Sequence, residues 1–246
     1  RRLSGLQGRV DTWHHQLARV HRGVPCPPHH TLTNLELPTS RLLSSPSSTA
    51  LCRSWAILFS HPNDFMPVCT TELGSVESLK DEFQRRGVKV AALSCNDVES
   101  HEAWVKDIVA VNQCKGPGLH FPIIADPERT IAHALGMLDE KARDAADMPI
   151  TCRAVYIVGP DKKLKLSLLY PASTGRNFGE VLRVLDSLQL TATHNLATPA
   201  NWKHGDKCMV QPELSTTEAK DKFPKGVEVY KVPSEREYMR FTPDPR

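Results

Sequence analysis

From residue 55 to residue 188 the sequence alternates between short apolar runs of strand character and stretches with helical apolar periodicity. That alternation restricts the chain to a layered α/β architecture, a central mixed sheet flanked by helices. Strands are expected over 55–60, 88–94, 121–125 and 152–158, the last turning back through Gly159-Pro-Asp161 into a strand over 164–170. Helices are expected over 70–86, ending at Gly87, and over 98–112, 128–135 and 178–188. In the second of these, Val98, His101, Val105, Ile108 and Val109 form the inward side. After Thr191 the chain turns Pro- and Lys-rich with sparse apolar residues, so 51–191 reads as the main domain and 192–246 as a small C-terminal domain or arm. Residues 1–50 read as a poorly ordered N-terminal extension.

Within this pattern Cys69 sits where a loop meets the start of a helix. The first helical turn carries unpaired backbone N–H groups and the positive end of the macrodipole, and both favour an anion. A thiol there is expected to ionise below its ordinary value of about 8.5 and act as a nucleophile. Pro67 fixes the backbone two residues earlier. The bland alternative is a small buried hydrophobe.

The net charge of +3 is unevenly placed. Residues 1–50 hold six Arg and no Lys against Asp11 and Glu36, whereas the remainder has 25 basic and 26 acidic residues. The main domain therefore offers no nucleic-acid surface. No apolar run reaches transmembrane length. The seven cysteines are far apart, with no C-x-x-C pair, so neither a zinc site nor a thioredoxin-type dithiol is indicated. With no secretory signal they read as free thiols in a reducing compartment, the cytoplasm. Leu3, Leu6, Val10, Trp13, Leu17 and Val20 give residues 1–22 one apolar helical face, and the segment is Arg-rich and acid-poor, so mitochondrial targeting is the alternative. The chain has no initiator Met and is read as a fragment, a processed form or an incomplete reading frame.

The run His61-Pro-Asn-Asp-Phe-Met-Pro-Val-Cys69-Thr-Thr-Glu-Leu73 resembles the peroxidatic-cysteine loop of the peroxiredoxins, in its one-cysteine, peroxiredoxin-6 class. The resemblance continues through Phe121-Pro-Ile-Ile124, Leu135-Gly-Met-Leu138, Gly159-Pro-Asp-Lys-Lys-Leu-Lys-Leu166, Thr174-Gly-Arg-Asn-Phe178, Ser187-Leu-Gln-Leu-Thr191, Phe223-Pro-Lys-Gly226 and Tyr238-Met-Arg-Phe-Thr-Pro243. It covers about Ser54 to the C-terminus and implies a thioredoxin-like fold. Two departures stand out. Met66 occupies the position of a family Thr or Ser whose hydroxyl bonds peroxide and thiolate, and a thioether cannot donate. The family's N-terminal hairpin is also missing, unless residues 31–37 cover that sheet edge.

The resemblance implies a peroxidase acting on hydrogen peroxide and on organic or phospholipid hydroperoxides, with Cys69 as nucleophile and Arg153 holding the thiolate and the developing charge. His61, which opens the loop, is the third candidate, as structural residue or proton carrier. Thr70 and Thr71 are expected to cap the helix. No resolving cysteine is found, since the surroundings of Cys208 lack the Val-Cys-Pro pattern, so an external thiol is implied: glutathione, reached directly or through a glutathione transferase. No cofactor or metal is called for. A homodimer and a phospholipid surface complete the implied partners. Two rival readings differ in class: a weakened paralogue kept as a binding or dimerisation module, and a phospholipase A2-type acyl hydrolase using Ser54 and Asp161. Ser54 lacks the glycines of a nucleophile elbow, the third residue would fall near Ser48, and Asp161 equally suits a turn.

Overall fold

The structure, a computed structural model, describes residues 54–246. The N-terminal extension, the helical face up to residue 22 and the candidate edge segment 31–37 lie outside the described residues. Two compact units divide between Arg176 and Asn177, whereas the sequence reading drew its boundary after Thr191.

The first unit is built on a five-stranded sheet. Its strands are β1 (Trp55–Ser60), β2 (Val88–Ser94), β3 (Ile123–Ala125), β6 (Arg153–Val158) and β7 (Leu164–Tyr170), in the order β3-β2-β1-β6-β7. Parallel pairing joins β1 to β2 and β2 to β3, while β6 runs antiparallel to β1 and β7 antiparallel to β6. The sheet is therefore mixed, as the alternating pattern predicts. Between β3 and β6 lies a hairpin of β4 (Leu138–Arg143) and β5 (Pro149–Thr151), which the sequence reading did not include.

Two registers place the chemistry. Phe59 pairs with Val155, so the C-terminal end of β1 meets the N-terminal end of β6. His61 and Arg153 consequently share one end of the sheet. Ala56 pairs with Val158, so Ser54 and Asp161 share the opposite end. A six-residue strand at about 3.3 Å per residue keeps the two ends roughly 20 Å apart.

The first helix begins three residues earlier than expected and is interrupted. Helix α1 spans Pro67–Ser78 and α2 spans Lys80–Arg85. Pro67 starts the helix because its missing N–H would be unpaired there in any case. The break falls at Leu79, whose N–H bonds the carbonyls of both Ser75 and Val76. Helix α3 spans Val98–Val111, capped by Asp97, whose carboxylate accepts from the Ser100 N–H. Its buried residues are His101, Trp104 and Ile108; Val98, expected inward, is exposed. Helix α4 spans Thr130–Ala134.

Gly74 on α1 lies against Asn112, the residue closing α3, and a Cβ at Gly74 would stand 1.9 Å from the Asn112 side chain. That closeness lets Asn112 Nδ2 donate to the Thr70 carbonyl at 3.0 Å, tying α3 to the turn that carries Cys69.

The second unit holds helix α5 (Phe178–Thr193), longer than expected by five residues, and helix α6 (Thr216–Lys222). Its four-stranded sheet has the order β10-β11-β9-β8, from β8 (Leu196–Ala197), β9 (Cys208–Val210), β10 (Glu228–Val229) and β11 (Arg240–Thr242). Leu190, Leu196, Trp202, Cys208, Val210, Ala219 and Phe223 form a core of its own. Each large member contributes about 1.5–3 kcal/mol through burial. A sparse apolar count thus still closes a small domain, helped by a capping box between Ser215 and Glu218.

Candidate active site

Cys69 is the third residue of α1, and Met66 is the N-cap. The Met66 backbone is extended, with φ −90° and ψ 134°, and no side chain caps the helix. Thr70 and Thr71 do not fill that role. Their hydroxyls donate to the carbonyls of Met66 and Val68, at 2.9 and 2.8 Å, so neither satisfies a first-turn N–H. Thr70 Oγ1 also accepts from Trp104 Nε1 at 3.1 Å.

The sulfur of Cys69 is fully buried. Arg153, buried at the first position of β6, donates from Nη1 to Cys69 Sγ at 3.2 Å and to Glu72 Oε2 at 2.8 Å. Its Nε and Nη2 both donate to the Ala172 carbonyl, at 2.9 and 2.8 Å. A fully buried strand Arg is thus paired on every side of its guanidinium that the network reaches.

Glu72 and Arg176 complete the network, and the sequence reading assigned neither a role. Glu72 accepts from the Arg176 backbone N–H at 2.8 Å, from Nε at 3.0 Å and from Nη2 at 2.7 Å. Arg176 Nη1 donates to the carbonyls of Ser60 and Ala154, and its guanidinium lies 5.3 Å from the centre of the Phe59 ring. One buried carboxylate thus holds two guanidinium groups at the end of the sheet. The available signal was the spacing: Glu72 follows Cys69 by three residues, one helical turn along the same face.

Acidity runs against the helix-start argument. Burial is the largest influence on the Cys69 thiol and pushes it up. The Arg153 charge, its hydrogen bond and a bond from the Asn63 backbone pull it down, while Glu72 pushes up again; the net direction is upward. The expected lowering fails because a fully buried sulfur loses more in leaving water than one turn of dipole returns.

His61 lies at the same sheet end as Arg153 but joins a separate cluster. Its Nε2 bonds Asp64 Oδ1 at 2.9 Å; Asp64 Oδ2 takes His101 Nδ1 at 2.7 Å and the Ser100 hydroxyl at 2.7 Å. Among the described residues, none of its hydrogen bonds runs to Cys69. Burial first, and also the nearby charges of His101 and Arg176, hold the His61 imidazole below its ordinary value against the pull of Asp64.

Ser54 and Asp161 share the far end of the sheet, away from Cys69. Asp161 occupies the β6–β7 turn, accepts from the Lys163 N–H at 3.2 Å and pairs with Lys165 at 2.6 Å. That is the turn role, with an ion pair added. The third position of an acyl-hydrolase triad, near residue 48, lies outside the described residues. Cys208 is buried in the second unit's core, its sulfur 3.7 Å from the Asp206 carbonyl.

This geometry can be set beside known proteins. Residues 29–167 match the family model described as the AhpC/TSA family, and residues 187–226 match the C-terminal domain of 1-Cys peroxiredoxin. The chain is 58% identical to peroxiredoxin-6 of Rattus norvegicus over 193 residues, which is 78% of this chain and 86% of the relative. The human peroxiredoxin-6 is 57% identical over 194 residues, with the same coverage. This chain belongs to the one-cysteine peroxiredoxins, in the peroxiredoxin-6 class. A cysteine-to-serine mutant of the Arenicola marina peroxiredoxin 6 matches with TM-score 0.76 at 56% identity, covering 78% of this chain and 87% of that one. The yeast mitochondrial 1-Cys peroxiredoxin, solved for its thiol resolution through glutathione/thioredoxin systems, matches with TM-score 0.70 at 41% identity over 79% of this chain and 89% of that one. As a one-cysteine peroxiredoxin, the protein is a thiol-dependent peroxidase. Peroxides are its substrates and a thiol its reductant.

Proposed function

We propose that Cys69 is the peroxidatic cysteine, Arg153 its electrostatic partner, and glutathione the thiol that restores it. The 3.2 Å contact from Arg153 Nη1 to Cys69 Sγ carries this reading. The Cys69 thiolate attacks one peroxide oxygen, forming an S–O bond as the O–O bond breaks. Sulfur supplies the two electrons, and the departing oxygen takes up a proton and leaves as water or an alcohol. Cys69 is left as a sulfenic acid. Arg153 lowers the barrier by holding positive charge where negative charge develops. Glu72, locked between Arg153 and Arg176, aims the guanidinium and keeps it from swinging away from the sulfur.

One glutathione thiol then condenses with the sulfenic acid to a mixed disulfide, releasing water. A second displaces Cys69 and leaves as glutathione disulfide. The resolution chemistry named for the yeast relative supports this choice of reductant, and delivery through a glutathione transferase belongs to the same reading. The five cysteines among the described residues are free thiols, in keeping with a reducing cytoplasmic setting. No described helix is long and apolar enough to cross a membrane. A homodimer is the assembly proposed, with the second unit as its arm.

Peroxide consumption with glutathione as electron donor tests the assignment. Wild type is expected to turn over, and Cys69→Ser to lose all glutathione-dependent consumption. Full activity in a folded Cys69→Ser protein overturns it.

A further inference from the structure

The loop of residues 62–66 delivers Cys69 to its partners, and its conformation is not the one its sequence would choose alone. Phe65 sits at φ 55°, in the left-handed region, and is 55% exposed. A bulky L-residue at such an angle costs about 1–2 kcal/mol and persists only where its surroundings over-determine it. The preceding residue, Asp64, supplies that constraint. Its carboxylate takes three donors, His61 Nε2, His101 Nδ1 and Ser100 Oγ, and its backbone N–H donates to Asn96 Oδ1 at 3.1 Å. Two of the carboxylate donors stand on the first turn of α3, so the loop is clasped to an element outside the catalytic network.

The clasp reaches the sulfur through one further residue. The loop runs straight into Met66, the N-cap of the helix whose third residue is Cys69. His101 is buried, and among the described residues its Nε2 has no hydrogen-bond partner, as is also true of His61 Nδ1. Two buried imidazoles each left with a bare nitrogen are a costly way to fill a core. A hydrocarbon at position 101 would fill the same space without that cost, so what the imidazole supplies is the donor at Nδ1.

We propose that His101 is a positioning residue of the peroxidatic site: by donating to Asp64 it fixes the 62–66 loop and so holds the N-cap of the helix that presents Cys69. This rests on Cys69 being the peroxidatic cysteine. It adds a residue that touches neither sulfur nor peroxide.

The experiment compares His101→Leu with His101→Asn in the full chain, using single-turnover oxidation of Cys69 by hydrogen peroxide. Leu keeps the bulk and loses the donor. Asn is smaller but places an amide N–H where Nδ1 stood. Losing one charge-assisted donor from a buried carboxylate is expected to slow His101→Leu about tenfold, and restoring it to recover most of the rate in His101→Asn. Ser100→Ala, which removes the neighbouring donor to the same oxygen, is the second probe should His101→Leu fail to fold, with an expected loss of about threefold. A rescue by Asn that Leu does not share supports positioning through donation. Wild-type rates in both His101→Leu and Ser100→Ala overturn it, as does equal slowing by Leu and Asn in folded proteins. Cys69→Ser in the same assay keeps the two ideas apart, since residual peroxide reduction there defeats the cysteine assignment itself.

Discussion

Met66→Thr should make this enzyme faster without unfolding it. Met66 is the N-cap of α1, its backbone already extended at φ −90° and ψ 134°, which a β-branched residue adopts without strain. Cys69 is the third residue of that helix, so a hydroxyl at the N-cap can accept from the Cys69 N–H. A Thr cap in place of a non-capping residue stabilises by about 0.5–2 kcal/mol. Against this stands the packing of a half-buried methionine, about 1 kcal/mol for the carbons lost, so the net change in stability is small. The kinetic effect is larger. The O–H can donate to the thiolate or to the peroxide oxygen, and a hydrogen bond to a charged group contributes about 1.5–3 kcal/mol. At about 1.4 kcal/mol per decade that is roughly 10- to 150-fold in rate. Stopped-flow oxidation by hydrogen peroxide, beside a thermal melt, measures both. A second-order rate constant raised at least about tenfold, with a melting temperature within a few degrees of wild type, is the expected pair of results. An unchanged or lower rate in a folded variant would show that the missing hydroxyl does not limit the site.

Two further predictions follow from the buried charges. Arg153→Met should stay folded, because Glu72 keeps its three bonds from Arg176, while oxidation of Cys69 slows by about 100-fold, the scale of one lost electrostatic donor; an unchanged rate in single-turnover assays would place the guanidinium outside the chemistry. Acid should destabilise the fold in two steps read by thermal melts. Burial holds His61 below its ordinary 6.5, so the unfolded chain binds that proton more readily and stability falls as pH drops through 6.5. The hydrogen bonds from His101, His61 and Ser100 hold Asp64 far below its ordinary 3.8 despite burial, and a second loss follows below that pH. A flat melting temperature between pH 7 and pH 5 would contradict the first step.

The features that sequence conveys well are those carried by local pattern. The runs that became β1, β2 and β7 are continuous apolar or alternating stretches, and their limits agree with the structure. Cys69 and Arg153, 84 residues apart, were paired through family resemblance, and the sheet register brings them together. Other features are set by tertiary contact. Leu138–Arg143 reads Leu-Asp-Glu-Lys-Ala-Arg, a charged run without a strand's alternation, and becomes β4 only by pairing with β5. Glu72 and Arg176 are separated by 104 residues, and nothing local to either announces the other. The Cys69 thiol reverses its expected direction for the same reason. Helix position is local, whereas desolvation depends on everything that closes over the sulfur. The helix start differs for a local reason: the apolar periodicity places it at residue 70, whereas Pro67, whose missing N–H costs nothing in a first turn, is the first residue inside it.

The central claim is that, of seven thiols, this fold makes Cys69 the one that peroxide oxidises. Brief exposure of the reduced protein to stoichiometric hydrogen peroxide, trapping with dimedone and peptide mapping tests it directly. Four other described thiols, Cys95, Cys114, Cys152 and Cys208, are also pushed up by burial, and only Cys69 has a guanidinium N–H on its sulfur among the described residues. The adduct should therefore appear on the peptide carrying Cys69 and fall away in Arg153→Met. Labelling that is dominant at Cys95, Cys114 or Cys208, with Cys69 unmodified, would contradict the account.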